Sequence, residues 1–371
     1  GETYNEMIFV QERDPQAEMW NGKRLGIEGA KNELGFAQAF NGQDFAKMNI
    51  DFKKFNQVFI EQFTDDYRDL RGNADVFDLV KTFKLQAGYN PDAYLSRAKE
   101  YVYKNISETP IESSANVVQI ITGIEDRFAE VKEDKLIKEY KEATTDLLKK
   151  DVQKRVTLAL KPKTNIDLQF LSANLGAMRE VKTEEELKLL TKAVRISAVG
   201  QIEVMKAMKS HMSETELQGI HEFVYKKYGA EYEGYPSIVG AGNNGCILHY
   251  IENNQTKVGN DLVLMDLGAE YRGYTADVTR TIPANGKFTK EQKQIYDIVY
   301  DAQEAGITFY KIGAGMSAPN LAARKIVNEG LYKLGIIKSV DERHNYFPHG
   351  TSHHIGLDVH DPGNYRNFEE N

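Results

Sequence analysis

The chain has a single cysteine, Cys246, in 371 residues, so no internal disulfide can staple its fold. That fits a reducing compartment, and a small buried side chain is the plainer reading of the residue. The cytoplasm is the expected address. Long apolar runs are missing as well, which excludes a helix spanning a bilayer and makes a membrane partner unexpected. Nor is there any surplus of positive charge. Lys and Arg number 47 against 55 Asp and Glu, a net charge of -8, which is the wrong sign for a surface that must neutralise phosphates. Nucleic acid is therefore not an expected partner. What the chain does have is size and apolar content. At about 150 residues per domain it makes roughly two, and a hydrophobic fraction of 41% argues against disorder.

The sequence opens Gly1-Glu2-Thr3, with neither an initiator Met nor the basic and apolar regions of a signal peptide. It finishes Phe368-Glu369-Glu370-Asn371 after a Pro362-Gly363 turn signal, with no element pattern to close a domain. Both chain ends are expected to be incomplete.

Two domains are expected, 1–174 and 175–371. The first opens with strand-like Met7-Ile8-Phe9-Val10, carries polar helical stretches around 91–105 and 124–155, and shows no catalytic constellation. Lys161-Pro162-Lys163-Thr164 breaks the helical pattern and is the best linker candidate. In the second domain Thr183 with Glu186 and Ser213 with Glu216 are capping-box signatures. They open a helix with Leu187, Leu190, Val194, Ala198, Ile202 and Met205 in one stripe, and another with Leu217, Ile220, Val224 and Tyr228 before Gly229. The order then recurs, with Thr289 and Gln292 capping one helix and Ser317 beginning the next. The long-helix caps stand 106 positions apart and the short-helix caps 104. This is an internal duplication, each copy reading helix, helix, sheet, with a cleft between halves. The second copy's hairpin would begin near 367 and run mostly past Asn371.

Asp261 to Gly268 is a short apolar run suited to a buried strand, and Tyr271-Arg272-Gly273 turns the chain into Ala276 to Ile282. If the turn is centred between Tyr271 and Arg272, Asp266 and Asp277 face each other across the hairpin. Opposed like charges destabilise a strand pair unless a cation or a shared proton lies between them. Two such carboxylates can bridge a pair of metals for hydrolysis by an activated water. A slipped register, or an edge where Asp277 pairs with Arg280 or Arg272, is the competing reading.

Five of the eight histidines, His344, His349, His353, His354 and His360, fall within seventeen residues. The segment is too rich in glycine for a helix and reads as a loop followed by a strand. Alternation from His353 groups it with Ile355, Leu357 and Val359, with His354 and His360 pointing the other way. A neutral imidazole among apolar neighbours is a natural metal ligand, and further imidazoles can donate hydrogen bonds or move protons. Taken singly, each is more often a packed or surface residue than a ligand; an opposed Asp pair beside them reverses that balance. His249 stands 111 positions before His360, close to the repeat offset, which makes it a candidate for the opposite cleft wall.

On these segments the chain resembles the metal-dependent pita-bread peptidases, most closely the Xaa-Pro aminopeptidases (aminopeptidase P). The likeness runs from Arg13-Asp14-Pro15 and Gly22 to Gly26 through Gly240 to Tyr250, Met265 to Thr281 and His349 to Asp361. It implies an α/β (α+β) fold, a duplicated pita-bread catalytic domain preceded by a creatinase-like N-terminal α/β domain. It further implies that Asp266 holds one metal, Asp277 bridges both and His353 binds the other, with His249, His349 and His360 as catalytic or substrate-contacting histidines. Two divalent ions, manganese by family habit, would carry a bridging hydroxide that attacks the peptide carbonyl before a proline in position two. A homodimer or larger homo-oligomer is implied too. The family completes its site with two glutamates that would lie beyond Asn371, and neither Glu369 nor Glu370 has the context to replace them. The 371 residues alone are therefore expected to show weak activity and poor metal occupancy. A prolidase acting on Xaa-Pro dipeptides is the alternative, and a metal-free pita-bread binding module the further one. Ser352 and Glu18-Met19-Trp20 favour the aminopeptidase, and the retained Asp266, Asp277 and His353 favour an enzyme.

Overall fold

The computed structural model describes residues 6–60 and 76–363. The chain ends on which the sequence comparison of Glu369 and Glu370 turned, and the start of the second copy's hairpin, lie outside the described residues. Two compact units are present, Gly1–Leu171 and Ser172–Asn371.

In the first unit, β1 (Met7–Val10) pairs in parallel with β2 (Gln38–Asn41), as the opening apolar run anticipated. Around them lie α1 (Pro15–Asn21), α2 (Gly26–Asn32) and α3 (Gly42–Met48). Asp14 caps α1, accepting from Gln16 N and Ala17 N, with Pro15 at its first position where no amide is needed. Next come β3 (Val58–Phe59), α4 (Val76–Ala87), α5 (Arg97–Glu108) and α6 (Ser114–Ile124). The polar helical stretch expected around 124–155 comprises three helices, α7 (Ala129–Lys132), α8 (Lys135–Glu142) and α9 (Asp146–Ala159). Asp134 and Thr145 each cap a new start, satisfying amides a continuous helix would have paired internally. Val102, Ile106, Val117, Ile121, Ile137, Tyr140 and Val156 form the core of this bundle. The chain does break at Pro162, but it then returns as β4 (Ile166–Asp167) to pair with β3 within the same unit.

α10 (Phe170–Glu180) leads into the second unit. α11 (Glu184–Ala207), α12 (Glu214–Lys227) and α13 (Lys290–Thr308) open with the three expected capping boxes, at Thr183, Ser213 and Thr289. Gly229, at φ 83°, ends α12 in the left-handed backbone that glycine adopts freely. α14 (Ala318–Lys333) completes the second helix pair, which packs on itself through Ala302, Ala323, Val327 and Leu331.

The stripe expected to bury α11 faces outward instead, with Leu187, Val194, Ile202 and Met205 between 38% and 49% exposed. The face turned inward is Ala193, Ile196, Ser197, Gly200, Gln201 and Val204. Small and polar residues win because they touch the sheet directly. Ser197 Oγ accepts from Ala269 N at 2.9 Å, and Gln201 Nε2 donates to Met265 O at 3.0 Å and Val278 O at 2.8 Å. A Cβ on Gly200 would come within 2.8 Å of the His221 ring.

The strands of this unit are β5 (Tyr232–Glu233), β6 (Ile238–Ala241), β7 (Leu262–Leu267), β8 (Ala269–Tyr271), β9 (Tyr274–Thr275) and β10 (Val278–Pro283). They form two antiparallel three-stranded sheets, ordered β10-β7-β6 and β5-β8-β9. One long hairpin runs through both and breaks at Gly268, where a Cβ would lie 1.8 Å from Ala276 O. Val263, Met265 and Leu267 point from β7 into a core with Val239, Leu217 and Tyr225, each such fully buried chain contributing about 1.5–3 kcal/mol. Among the described residues no strand follows α14, so the sheet of only one copy is seen.

Candidate metal centre

Period-two alternation along β7 buries Val263, Met265 and Leu267 and leaves Asp266 on the opposite face, between Ile238 of β6 and Thr279 of β10. The facing-aspartate expectation is corrected here. Tyr271 pairs with Tyr274, so the turn is Arg272-Gly273, with φ of 53° and 83°. A two-residue turn of that type wants positive φ at both centres and glycine at the second, which moves the hairpin axis by one residue. Asp266 thus opposes Thr279, and Asp277 sits in the gap between β9 and β10, diagonal to Asp266 rather than across from it.

The two carboxylates still share a partner. The Tyr235 hydroxyl donates to Asp266 Oδ1 at 2.6 Å and lies 3.3 Å from Asp277 Oδ1. Burial pushes the Asp266 carboxyl upward against the hydrogen bond from Tyr235, and the Asp277 charge adds to the rise. Burial and the same two carboxylates push the Tyr235 phenol strongly upward. Nothing in the spacing of the sequence marked Tyr235; only the turn between β5 and β6 brings it in.

His353 approaches from a loop, not from the strand expected over its segment; residues 350–363 contain no strand. The loop is strapped to the hairpin by Thr275 N donating to Gly356 O at 2.8 Å. His353 Nδ1 lies 2.8 Å from His354 O. A carbonyl only accepts, so Nδ1 carries a proton and, in the neutral ring, the Nε2 lone pair faces outward. It faces Asp277 Oδ2 at 3.1 Å. A lone pair and a carboxylate at that distance need a proton or a cation between them. Two donors bound at about 2.0–2.2 Å to one divalent ion stand roughly 3.0–3.5 Å apart, and an imidazole whose other nitrogen is tied to a backbone carbonyl is the usual metal-bound form. Asp277 and His353 therefore fit a shared divalent ion, and hard oxygens with one imidazole suit such a metal. Among the described residues no three His, Cys, Asp or Glu side chains encircle one point. Asp266, Tyr235, Asp277 and His353 form a chain of contacts rather than a closed shell.

His360, expected to point away, packs edge-on against the His353 ring at 4.3 Å between centroids, because an irregular loop has no strand alternation to obey. His249 is exposed and close enough to Asp266 for its charge to favour the carboxylate. His349 is exposed, with Nδ1 2.8 Å from Gly350 O, and no described contact joins it to the aspartates. His344 is likewise elsewhere, at Asn328. Cys246, expected to be buried, is exposed, because it ends a short 3-10 helix (Gly242–Cys246) that follows β6 and buries none of its residues.

The stretch from this helix through His249 is held by a residue that the sequence reading missed. Glu214, fully buried in the first turn of α12, accepts from Ala241 N at 2.7 Å and Asn244 Nδ2 at 3.0 Å through one oxygen. Its other oxygen accepts from the Tyr250 hydroxyl at 2.8 Å and Gln255 N at 2.9 Å. Asn253, at φ 44°, adds a second tie by accepting from Val239 N.

The signature of metallopeptidase family M24 matches residues 188–371, and that of the aminopeptidase P N-terminal domain matches residues 1–57. The Xaa-Pro aminopeptidase of Escherichia coli is 32% identical over 98% of this chain and 68% of its own length. This chain belongs to the Xaa-Pro aminopeptidases of metallopeptidase family M24. The Xaa-Pro aminopeptidase of Haemophilus influenzae is 29% identical, over 97% of this chain and 65% of that relative. Among solved structures, E. coli aminopeptidase P in its low pH form superposes with a TM-score of 0.68 at 30% identity, over 97% of this chain and 67% of that one. Aminopeptidase PepP of Pseudomonas aeruginosa gives 0.66 at 26%, over 99% and 68%. As an M24 chain it is a hydrolase of the metallopeptidase class, with divalent metal as its cofactor and an N-terminal domain preceding a pita-bread domain. No helix among the described residues is long and apolar enough to cross a membrane.

Proposed function

We propose that the protein hydrolyses the bond between an N-terminal residue and a following proline, using a pair of divalent ions, manganese in this reading. The observation that carries it is His353 Nε2 set 3.1 Å from Asp277 Oδ2, with Asp266 joined to Asp277 through the Tyr235 hydroxyl. Divalent ions held there would supply an acidified water at neutral pH, the bridging hydroxide that the family likeness implies, and positive charge for the carbonyl oxygen. Asp266 and Asp277 give the hard oxygen donors and His353 the nitrogen, its ring angle fixed through His354 O. His360, edge-on to His353 and exposed, offers an N–H to an oxyanion or a proton to the departing amine. His249 lines the pocket from the Asp266 side, and His349, farther along the loop, contacts the peptide beyond it. The family likeness adds two glutamate ligands and self-association, and the single cysteine fits residence in the cytoplasm.

The full-length protein given Arg-Pro-Pro with Mn²⁺ is expected to release arginine. No release with any divalent metal would overturn the proposal, and a preference for Gly-Pro over longer Xaa-Pro peptides would make it a dipeptidase instead.

A further inference from the structure

Three residues outside the pocket converge behind the histidine loop. Asp361 is 1% exposed, a depth at which a carboxylate is costly unless paired. Arg179, in the last turn of α10, reaches Asp361 Oδ1 and also Asp358 Oδ2 at 2.7 Å. Lys182 Nζ reaches the other Asp361 oxygen at 2.8 Å, and Asp358 N donates to Oδ1 at 3.3 Å. Burial raises the Asp361 carboxyl, but Lys182, the Asp358 amide and Arg179 outweigh it and hold it below the usual range. The fit leaves no spare room: a Cβ on Gly356 would stand 2.4 Å from Asp361 Oδ2.

The backbone of Asp361 makes the connection to the site. Its N–H donates to His354 O at 3.0 Å, and that carbonyl is the one that takes the Nδ1 proton of His353 at 2.8 Å. One oxygen thus receives both the anchored end of the loop and the ring that faces Asp277. If the anchor slips, the acceptor that sets the ring angle slips with it. Buried ion pairs of this sort add little net stability over apolar packing, so their return lies in geometry.

We infer that Asp361, clamped between Arg179 and Lys182, is a positioning residue that aims His353 at the metal pocket through the shared His354 carbonyl. The inference rests on the proposed metal site for its consequence but on the apo geometry for its mechanism, and the experiment separates the two. In the metal-free full-length protein, amide hydrogen exchange followed by mass spectrometry compares wild type with Arg179→Met, Arg179→Lys and Lys182→Met. Arg179→Met and Lys182→Met are expected to speed exchange over 351–361 about tenfold while 262–267 keeps its protection. Titration calorimetry with Mn²⁺ is expected to show affinity weakened tenfold to a hundredfold, the range for groups that orient a metal-bound histidine. Arg179→Lys, which keeps the charge but shortens the reach of the one nitrogen, Nη2, that touches both Asp358 and Asp361, recovers only part of it. Unchanged exchange over 351–361, or loosening shared equally by 262–267, overturns the inference, as does local loosening with unaltered affinity. Should the wild type itself bind no Mn²⁺, the proposed function fails while the exchange comparison still decides the clamp.

Discussion

Replacing Glu214 by glutamine changes one atom and tests the loop that carries His249. Each carboxylate oxygen receives a backbone amide, Ala241 N at 2.7 Å and Gln255 N at 2.9 Å. Whichever way the glutamine amide is turned, its NH2 meets one of them donor to donor. The Tyr250 hydroxyl can swing to Asn254 Oδ1, 3.1 Å away, but the backbone amides have no such freedom. One orphaned buried donor costs about 1–3 kcal/mol, and the remaining bonds weaken by roughly 1 kcal/mol when the charge goes. The sum is about 2–4 kcal/mol. For a unit near 200 residues, where each kcal/mol moves the midpoint by about 2–4 °C, the melting temperature should fall roughly 5–15 °C. Glu214→Ala, which loses all four bonds, should fall further. Thermal unfolding followed by circular dichroism reads this directly. A Glu214→Gln protein melting within about 1 °C of wild type would refute the reasoning.

Two more perturbations follow from buried charge. His221 is fully buried with neither ring nitrogen hydrogen-bonded among the described residues, and burial depresses its pKa to about 4. Because the folded value lies below the unfolded one of about 6.5, its contribution is complete above pH 6.5 and is lost as pH falls toward 4, at about 1.4 kcal/mol per pH unit and about 3 kcal/mol in all. Urea unfolding at pH 7 and 4.5 should show this loss in wild type and its absence in His221→Phe; parallel losses would contradict it. Asp266 is shifted the other way, raised mainly by burial and further by the Asp277 charge. It binds its proton more tightly when folded, so its ionisation penalises the metal-free fold as pH rises through the folded value. Asp266→Asn should therefore stabilise the metal-free protein at pH 7 by up to about 1 kcal/mol, with the gain shrinking in acid. Added Mn²⁺ should raise the melting temperature of wild type and not of the variant, and a variant that gains equally would count against the site.

Features that depend on a few neighbouring residues could be read from the sequence. The caps at Thr183, Ser213 and Thr289 are side-chain to backbone bonds within three positions, and the alternation that turns Asp266 to the face opposite Val263, Met265 and Leu267 is a property of β7 alone. What could not be read depended on distant partners. The inward face of α11 is chosen by Ala269, Met265 and Val278, seventy or so residues away, which reward Ser197 and Gln201 over the apolar stripe. The hairpin register turned on Gly273, a local signal that was present and was set one position off. His360 joins His353 because the loop is irregular, and Tyr235 and Glu214 reach their partners only through tertiary folding.

Gln201 holds Met265 O and Val278 O, one on each arm of the long hairpin, with a single amide. The separation of the arms is thus gauged from the helix, upstream of the bend at Gly268, and not from the Arg272-Gly273 tip. Lengthening or replacing that tip leaves the gauge untouched, so the solvent end of the hairpin is where a tag, a probe or a natural insertion can be accommodated while the spacing of Asp266 and Asp277 is preserved.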